Sequence, residues 1–181
     1  MPPPARRSAE STDPAPDRER VWARLWDAHA PALFLFARQW LADPTSAEDA
    51  VQAGFVKFWR ARGAHGGVDV PLLFAAVRSE ALDLLRSSSR RAERERRAAI
   101  DDAWWEADPL VGREREAAVR AALEALPPEQ REAVVLRVWA GLSFAEIARA
   151  LDANENTVTA RCRRGLEKLE RLLPEECRES P

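Results

Sequence analysis

The sequence predicts an all-α fold built as two small helical domains joined by a flexible acidic linker. Helix-forming Ala, Leu, Glu and Arg dominate from residue 18 onward, Tyr is absent, and no run alternates apolar with polar residues as a strand does. The chain has 181 residues, 46% of them hydrophobic and 32% charged, which suits one ordinary domain or two small ones and excludes disorder throughout.

The elements follow from the punctuation. Residues 1–17 hold five Pro together with Ser, Thr and Asp, a composition that buries too little apolar area to offset its ordering entropy, so a disordered tail is expected. A first domain over 18–97 shows four helical stretches, 18–29, 31–41, 46–62 and 71–97, separated by Pro31, by Asp43-Pro44 and by the Gly-rich stretch ahead of Pro71. Thr45 and Glu48 have capping-box spacing, which sets the start of the third stretch. Within it Val51, Phe55 and Phe58 fall on one helical stripe and face a core, while Glu48, Asp49, Gln52 and Lys57 lie off it and leave a face for a partner. In the fourth stretch Leu73, Val77, Ala81, Leu84 and Leu85 point inward, and a polar run, Ser87-Ser88-Ser89-Arg90-Arg91, follows. For Phe74 the spacing favours a place in the core over stacking on a base.

Residues 98–116 read as a linker that is acidic and carries Asp108-Pro109. Its tandem Trp104-Trp105 is costly to leave wet, and docking onto a neighbouring domain is favoured over anchoring a partner. A second domain over 117–173 opens with a helix at about 116–125. Leu126-Pro127-Pro128 ends that helix and starts one running to Trp139. Gly141 stands where a helix end needs a positive φ, and Ser143 with Glu146 repeats the capping-box spacing. Residues 174–181 form a tail.

A net charge of −2 and a pI near 5.8 argue against coating nucleic acid by overall positive charge, but the charges are segregated. Residues 78–97 carry seven Arg against four acids, residues 101–116 carry six acids against two Arg, and residues 161–168 carry four bases against one acid. Two Cys and two His provide neither a disulfide scaffold nor zinc-ligand spacing, so no metal is expected. The absence of a long apolar run and of a signal-peptide pattern leads to the expectation of a cytoplasmic protein with no membrane insertion. No phosphate loop, nucleophile elbow or metal-binding helix motif is present, and neither an enzyme nor a cofactor is expected.

The stretch 141–169 carries the chemistry. Ala148, Asp152 and Val158 have helix-turn-helix spacing: a small residue where helices cross, a residue tolerant of a left-handed turn, and an apolar anchor beneath the second helix. Asn154 is placed to cap that second helix. With Val158, Cys162, Leu166 and Leu169 inward, the opposite face shows Glu155, Asn156, Thr159, Arg163 and Arg164. Such a face fits a major groove, where Asn reads adenine edges and Arg reads guanine edges, with Thr157 and Arg161 assigned to phosphates.

Two motifs, AEDAVQAGFVKFWR in the first block and LPPEQREAVVLRVWAGLSFAEIARALDANENTVTARCRRGLEKLERLL in the second, make residues 20–173 resemble the extracytoplasmic-function group of bacterial sigma factors. The resemblance implies a first domain that binds the clamp helices of core RNA polymerase and melts the promoter minus-ten element. It implies a second domain that reads the minus-thirty-five element and meets the polymerase flap. It makes Asp49 and Gln52, with Glu48 beside them, the polymerase-binding residues. Arg78, Ser79, Arg86, Arg90 and Arg91 become minus-ten contacts, and Glu155, Asn156, Thr157, Thr159, Arg161, Arg163 and Arg164 minus-thirty-five contacts. An anti-sigma protein is an expected further partner.

The chain departs from the family pattern at Ala53, where a Glu is usual, and at Ser79-Glu80, where an Asn follows the Arg. These changes point to weaker polymerase affinity and an altered minus-ten preference, and Gly54 adds a helix-propensity cost of about 0.5–1 kcal/mol. Two other readings compete: a stand-alone helix-turn-helix regulator that binds operators as a dimer without polymerase, and a helical adaptor acting through protein contacts alone.

Overall fold

The computed structural model describes residues 15–62, 68–92 and 111–174, with side chains over 20–62, 68–87 and 117–174. Seven helices make up the described residues: α1 (Ala15–Ala37), α2 (Pro44–Arg62), α3 (Val70–Ala92), α4 (Val111–Glu124), α5 (Pro128–Val138), α6 (Phe144–Leu151) and α7 (Glu155–Leu172). The first three form one block and the last four the other. Residues 15–17, expected in the N-terminal tail, form the start of α1, while the rest of that tail, residues 63–67, Trp104-Trp105 and 175–181 with Cys177 lie outside the described residues.

Pro31 does not divide the first helix. α1 runs through it, so the first block has three helices where the punctuation predicts four. A proline deprives the carbonyl four residues back of its partner. Here that carbonyl belongs to Asp27, an exposed residue, and the following turns bury Leu33, Phe34, Phe36 and Ala37. Packing of the C-terminal turns therefore overrides the break.

α2 begins two residues before the expected start. The cap is Asp43, whose carboxylate accepts from the Ser46 backbone N at 2.9 Å and from Ser46 Oγ at 2.6 Å, and Thr45 sits inside the helix. Those bonds, the hydroxyl's first, hold the Asp43 carboxyl below the ordinary carboxylate range. The stripe of α2 is as expected: Val51 and Phe58 are buried and half-buried Phe55 packs against them. Trp22 stands edge-on to Phe55 and Phe58, with ring centroids 5.8 and 5.7 Å apart.

Gly54 has a packing reason that propensity hides. It is buried where α2 crosses α3, and a Cβ added there lies 2.7 Å from Val77 Cα, closer than atoms can approach. Phe74 is fully buried and stands 5.5 Å edge-on to Phe36, so it belongs to the core. Leu73, Val77 and Ala81 are buried beside it, while Leu85, expected inward, is exposed because the apolar stripe of α3 has run out by that turn.

In the second block α4 starts at Val111, inside the stretch read as linker. No Pro interrupts residues 111–124, so nothing in the chain stops a helix from starting ahead of residue 116. α5 starts behind Pro127-Pro128 as expected. Gly141 has φ +68°, and the capping box at α6 is complete: Ser143 Oγ accepts from Glu146 N while the Glu146 carboxylate accepts from Ser143 N at 2.8 Å.

The two blocks are docked. α3 packs on α6 and α1 on α5, and the buried side chains of both blocks form one continuous cluster, with Phe36, Phe74 and Val77 at one end and Val134, Ile147 and Val158 at the other.

Candidate nucleic-acid and polymerase interfaces

The helix-turn-helix is built by three local devices. The capping box starts α6, and Asp152 ends it in the left-handed conformation at φ 50° and ψ 54°. Asn154 then starts α7 by accepting from the Asn156 backbone N at 2.9 Å. Asp at the turn where Gly is more usual is tolerated because its short polar side chain suits that region. Val158 and Cys162 are fully buried and Leu169 nearly so, which fixes the roll of α7 about its own axis. Burial also pushes the Cys162 thiol up, so this cysteine is an apolar core residue.

That roll leaves Glu155, Asn156, Thr157, Thr159, Arg163 and Arg164 exposed along one side, as the spacing predicts. Leu166 differs: it is 42% exposed where an inward position is expected, since Gly165 takes the place against α5. Arg161 differs in kind from its neighbours. It is half-buried and bonded to Glu129 of α5 at 2.8 Å, so its charge already has a protein partner. A concavity between the start of α5 and α7 is lined by Glu129, Gln130, Asn156, Thr157, Arg161 and Arg164.

In the first block, Glu48, Asp49 and Gln52 are exposed together on α2, on the side away from Val51 and Phe58. Lys57, expected to be free, is bonded to Glu80 of α3 at 2.8 Å. The negative charge of Glu80 beside the expected DNA path is thereby offset.

On α3, Ser79 is exposed and Arg86 pairs with Asp83 at 3.0 Å. Arg90 and Arg91 lie on the last turns of α3, with side chains outside the described residues. Arg78 is engaged across the block boundary. Its Nε and Nη2 donate to Glu132 Oε1 at 3.2 and 3.1 Å, and its guanidinium lies 5.9 Å from the Trp40 ring centre. Glu132 is 5% exposed, and burial pushes its carboxyl up against the pull of Arg78. A second pair, Arg149 of α6 with Asp69, joins the blocks, and Asp69 also takes Arg62 at 3.0 Å.

Sequence reasoning missed Glu129, Glu132, Asp69 and Arg149. The signal for Glu132 was present, an acid in helical phase with an apolar run at Val135, Leu136 and Trp139. Its partner, 54 residues away, is fixed by docking alone.

Two helical blocks, one ending in a helix-turn-helix whose second helix exposes a polar and basic face, have the make-up of a DNA-binding protein. Residues 25–91 match the family model of sigma-70 region 2 and residues 116–169 that of sigma-70 region 4. The chain is 34% identical over 152 residues to ECF RNA polymerase sigma factor SigM of Mycobacterium tuberculosis, covering 83% of this chain and 76% of that protein. It is likewise 34% identical over 161 residues to RNA polymerase sigma factor CarQ of Myxococcus xanthus, covering 83% and 88%. Among solved structures, CnrH in complex with the cytosolic domain of CnrY has a TM-score of 0.61 at 26% identity, covering 88% of this chain and 91% of that one. RpoE of Bartonella quintana, solved with the anti-sigma factor NepR, has a TM-score of 0.63 at 24% identity over 84% of this chain and 96% of that one, a likeness of fold. The chain belongs to the extracytoplasmic-function family of RNA polymerase sigma factors, and it directs promoter-specific initiation by RNA polymerase.

Proposed function

We propose that the first domain, 18–97, engages the clamp helices of core polymerase through Asp49 and Gln52, with Glu48 beside them, and follows the minus-ten strand with Arg78, Ser79, Arg86, Arg90 and Arg91. The second domain, 117–173, meets the flap and reads the minus-thirty-five element with the exposed face of α7. Arg163, Arg164, Asn156, Glu155 and Thr159 take base edges, while Thr157 and Arg161 take phosphates, Arg161 exchanging Glu129 for DNA. The residues between the domains act as linker. The observation that carries this reading is the sorting of α7, with Val158, Cys162 and Leu169 buried and the polar and basic side chains exposed opposite them.

The protein makes and breaks no covalent bond in this scheme and works in the cytoplasm beside polymerase. It supplies differential binding: a factor that prefers the open strand shifts the duplex equilibrium by no more than that preference. Among the described residues no helix is long and apolar enough to cross a membrane and no group of His, Cys, Asp and Glu could hold a metal. An anti-sigma protein is the expected regulator, since RpoE of Bartonella quintana, of similar fold, was solved in complex with the anti-sigma factor NepR.

Two variants test the assignment. Arg163→Ala weakens promoter binding by about 1–3 kcal/mol and relaxes preference at one base position, whereas Arg161→Ala weakens binding to all sequences alike. Equal losses on every sequence for both variants overturn the base-reading role. Asp49→Lys lowers affinity for core polymerase and leaves DNA binding by α7 unchanged; unaltered polymerase affinity removes the proposed interface.

A further inference from the structure

The concavity between α5 and α7 is cationic except at one residue. Its lining holds Arg161 and Arg164, the neutral donors Gln130, Asn156 and Thr157, and a single acid, Glu129. It opens to solvent and has a volume of about 500 Å³, room for a phosphodiester and the sugar beside it.

Close packing, rather than charge, sets the distance between its walls. Gly165 of α7 lies so near α5 that a Cβ added there stands 2.6 Å from Val134 Cγ2 and 3.3 Å from the Gln130 carbonyl oxygen. Arg161, one turn earlier on α7, is thereby carried to a fixed place opposite Glu129, where its Nη2 stands 2.8 Å from Glu129 Oε2. The Arg161 side chain is 26% exposed and that of Glu129 68%. Packing therefore keeps the guanidinium in place with or without the acid, whereas the acid can swing into water.

A carboxylate so placed imitates a phosphate. It accepts a charge-assisted hydrogen bond from the guanidinium as a phosphate oxygen does. A DNA phosphate that reaches Arg161 gains only the difference between the two acceptors, and it approaches against the negative charge of Glu129.

We propose that this concavity seats one backbone phosphate of bound duplex, with α5 as its second wall, and that Glu129 is the resident counter-anion of the seat. This rests on the assignment of Arg161 to a phosphate given above. Glu129 is a positioning residue that acts through Arg161 and lowers the affinity of the chain for every duplex. Because phosphate contacts carry no sequence information, its effect falls equally on all sequences and leaves the choice of bases to the exposed face of α7. The result is a recognition helix that holds unselected DNA loosely without giving up a base contact.

The test titrates full-length wild type, Glu129→Gln, Arg161→Ala and the double variant onto two end-labelled duplexes of equal length and unrelated sequence. Glu129 is exposed and glutamine matches its shape, so the fold is retained. Glu129→Gln raises affinity for both duplexes by the same factor, about two- to fivefold, the range of an exposed ion pair. The gain shrinks as salt is raised. Arg161→Ala weakens binding to both duplexes, and in its presence Glu129→Gln brings no gain, a result that neither a folding role nor a long-range charge effect produces. If Arg161→Ala weakens binding while Glu129→Gln leaves it equal or lower, the counter-anion role alone is overturned. A gain on one duplex only, or one that persists without Arg161, overturns it as well. Affinities that Arg161→Ala leaves unchanged sink the phosphate assignment itself and the seat with it.

Discussion

The two halves of this molecule are both helical and of similar size, yet they are specified by different means. The second is fixed by short-range chemistry: the Ser143–Glu146 box, the left-handed Asp152 and the Asn154 cap each act within a few residues and together set α6 against α7. The first is fixed mainly by fit between helices distant in sequence: Gly54 against Val77, Phe36 against Phe74, Trp22 against two Phe of α2. Rules local to the chain therefore describe the second block better than the first.

The strongest way to challenge this contrast is to remove core side chains. Phe74→Ala is expected to cost about 3–5 kcal/mol and Ile147→Ala about 2–5 kcal/mol, measured by chemical denaturation. Because both belong to one core cluster, each is expected to shift a single transition. Two separated transitions, one of them unmoved, would show that the halves fold independently.

Gly54→Ala sharpens the comparison. At an exposed helical glycine that change stabilises, but here the new methyl meets the α3 backbone, so a loss of about 1–3 kcal/mol is expected. A gain in stability contradicts the close crossing of α2 and α3.

Caps give the smallest effects. Ser143→Ala should cost about 1 kcal/mol at neutral pH, read as a drop in Tm. The Ser143 hydroxyl, first, and its backbone N–H hold the Glu146 carboxyl below its ordinary value. A carboxyl depressed in the folded state contributes fully above its unfolded pKa and loses that contribution as the pH falls through the depressed one. The Tm difference between wild type and Glu146→Ala should accordingly be greatest near neutrality and close in acid. Asp43→Ala in the first half should behave in the same direction, its carboxyl being depressed by Ser46. A cap difference that widens in acid contradicts the assignment.

What the residues disclosed follows the same division. The helical class, Gly141, the second capping box, the αL position at Asp152 and the exposed face of α7 were all legible, because each depends on neighbours within one or two turns. Pro31 misled because the benefit of carrying α1 onward comes from core contacts of Leu33, Phe34 and Phe36. Thr45 misled because two caps were available and Asp43 reaches Ser46 better. Gly54 read as a weakness because its reason lies on another helix. The α2 face with Asp49 and Gln52 followed from periodicity alone, whereas the bond of Arg78 to Glu132 depends on docking, which no local pattern encodes.

The most direct measurement is run-off transcription from a randomised promoter library by purified core RNA polymerase, with and without this protein. Transcripts that require the protein and share two sequence blocks, one near minus ten and one near minus thirty-five, are the predicted result. Core polymerase left as unselective as before, with this protein occupying DNA sites unaided, would contradict it.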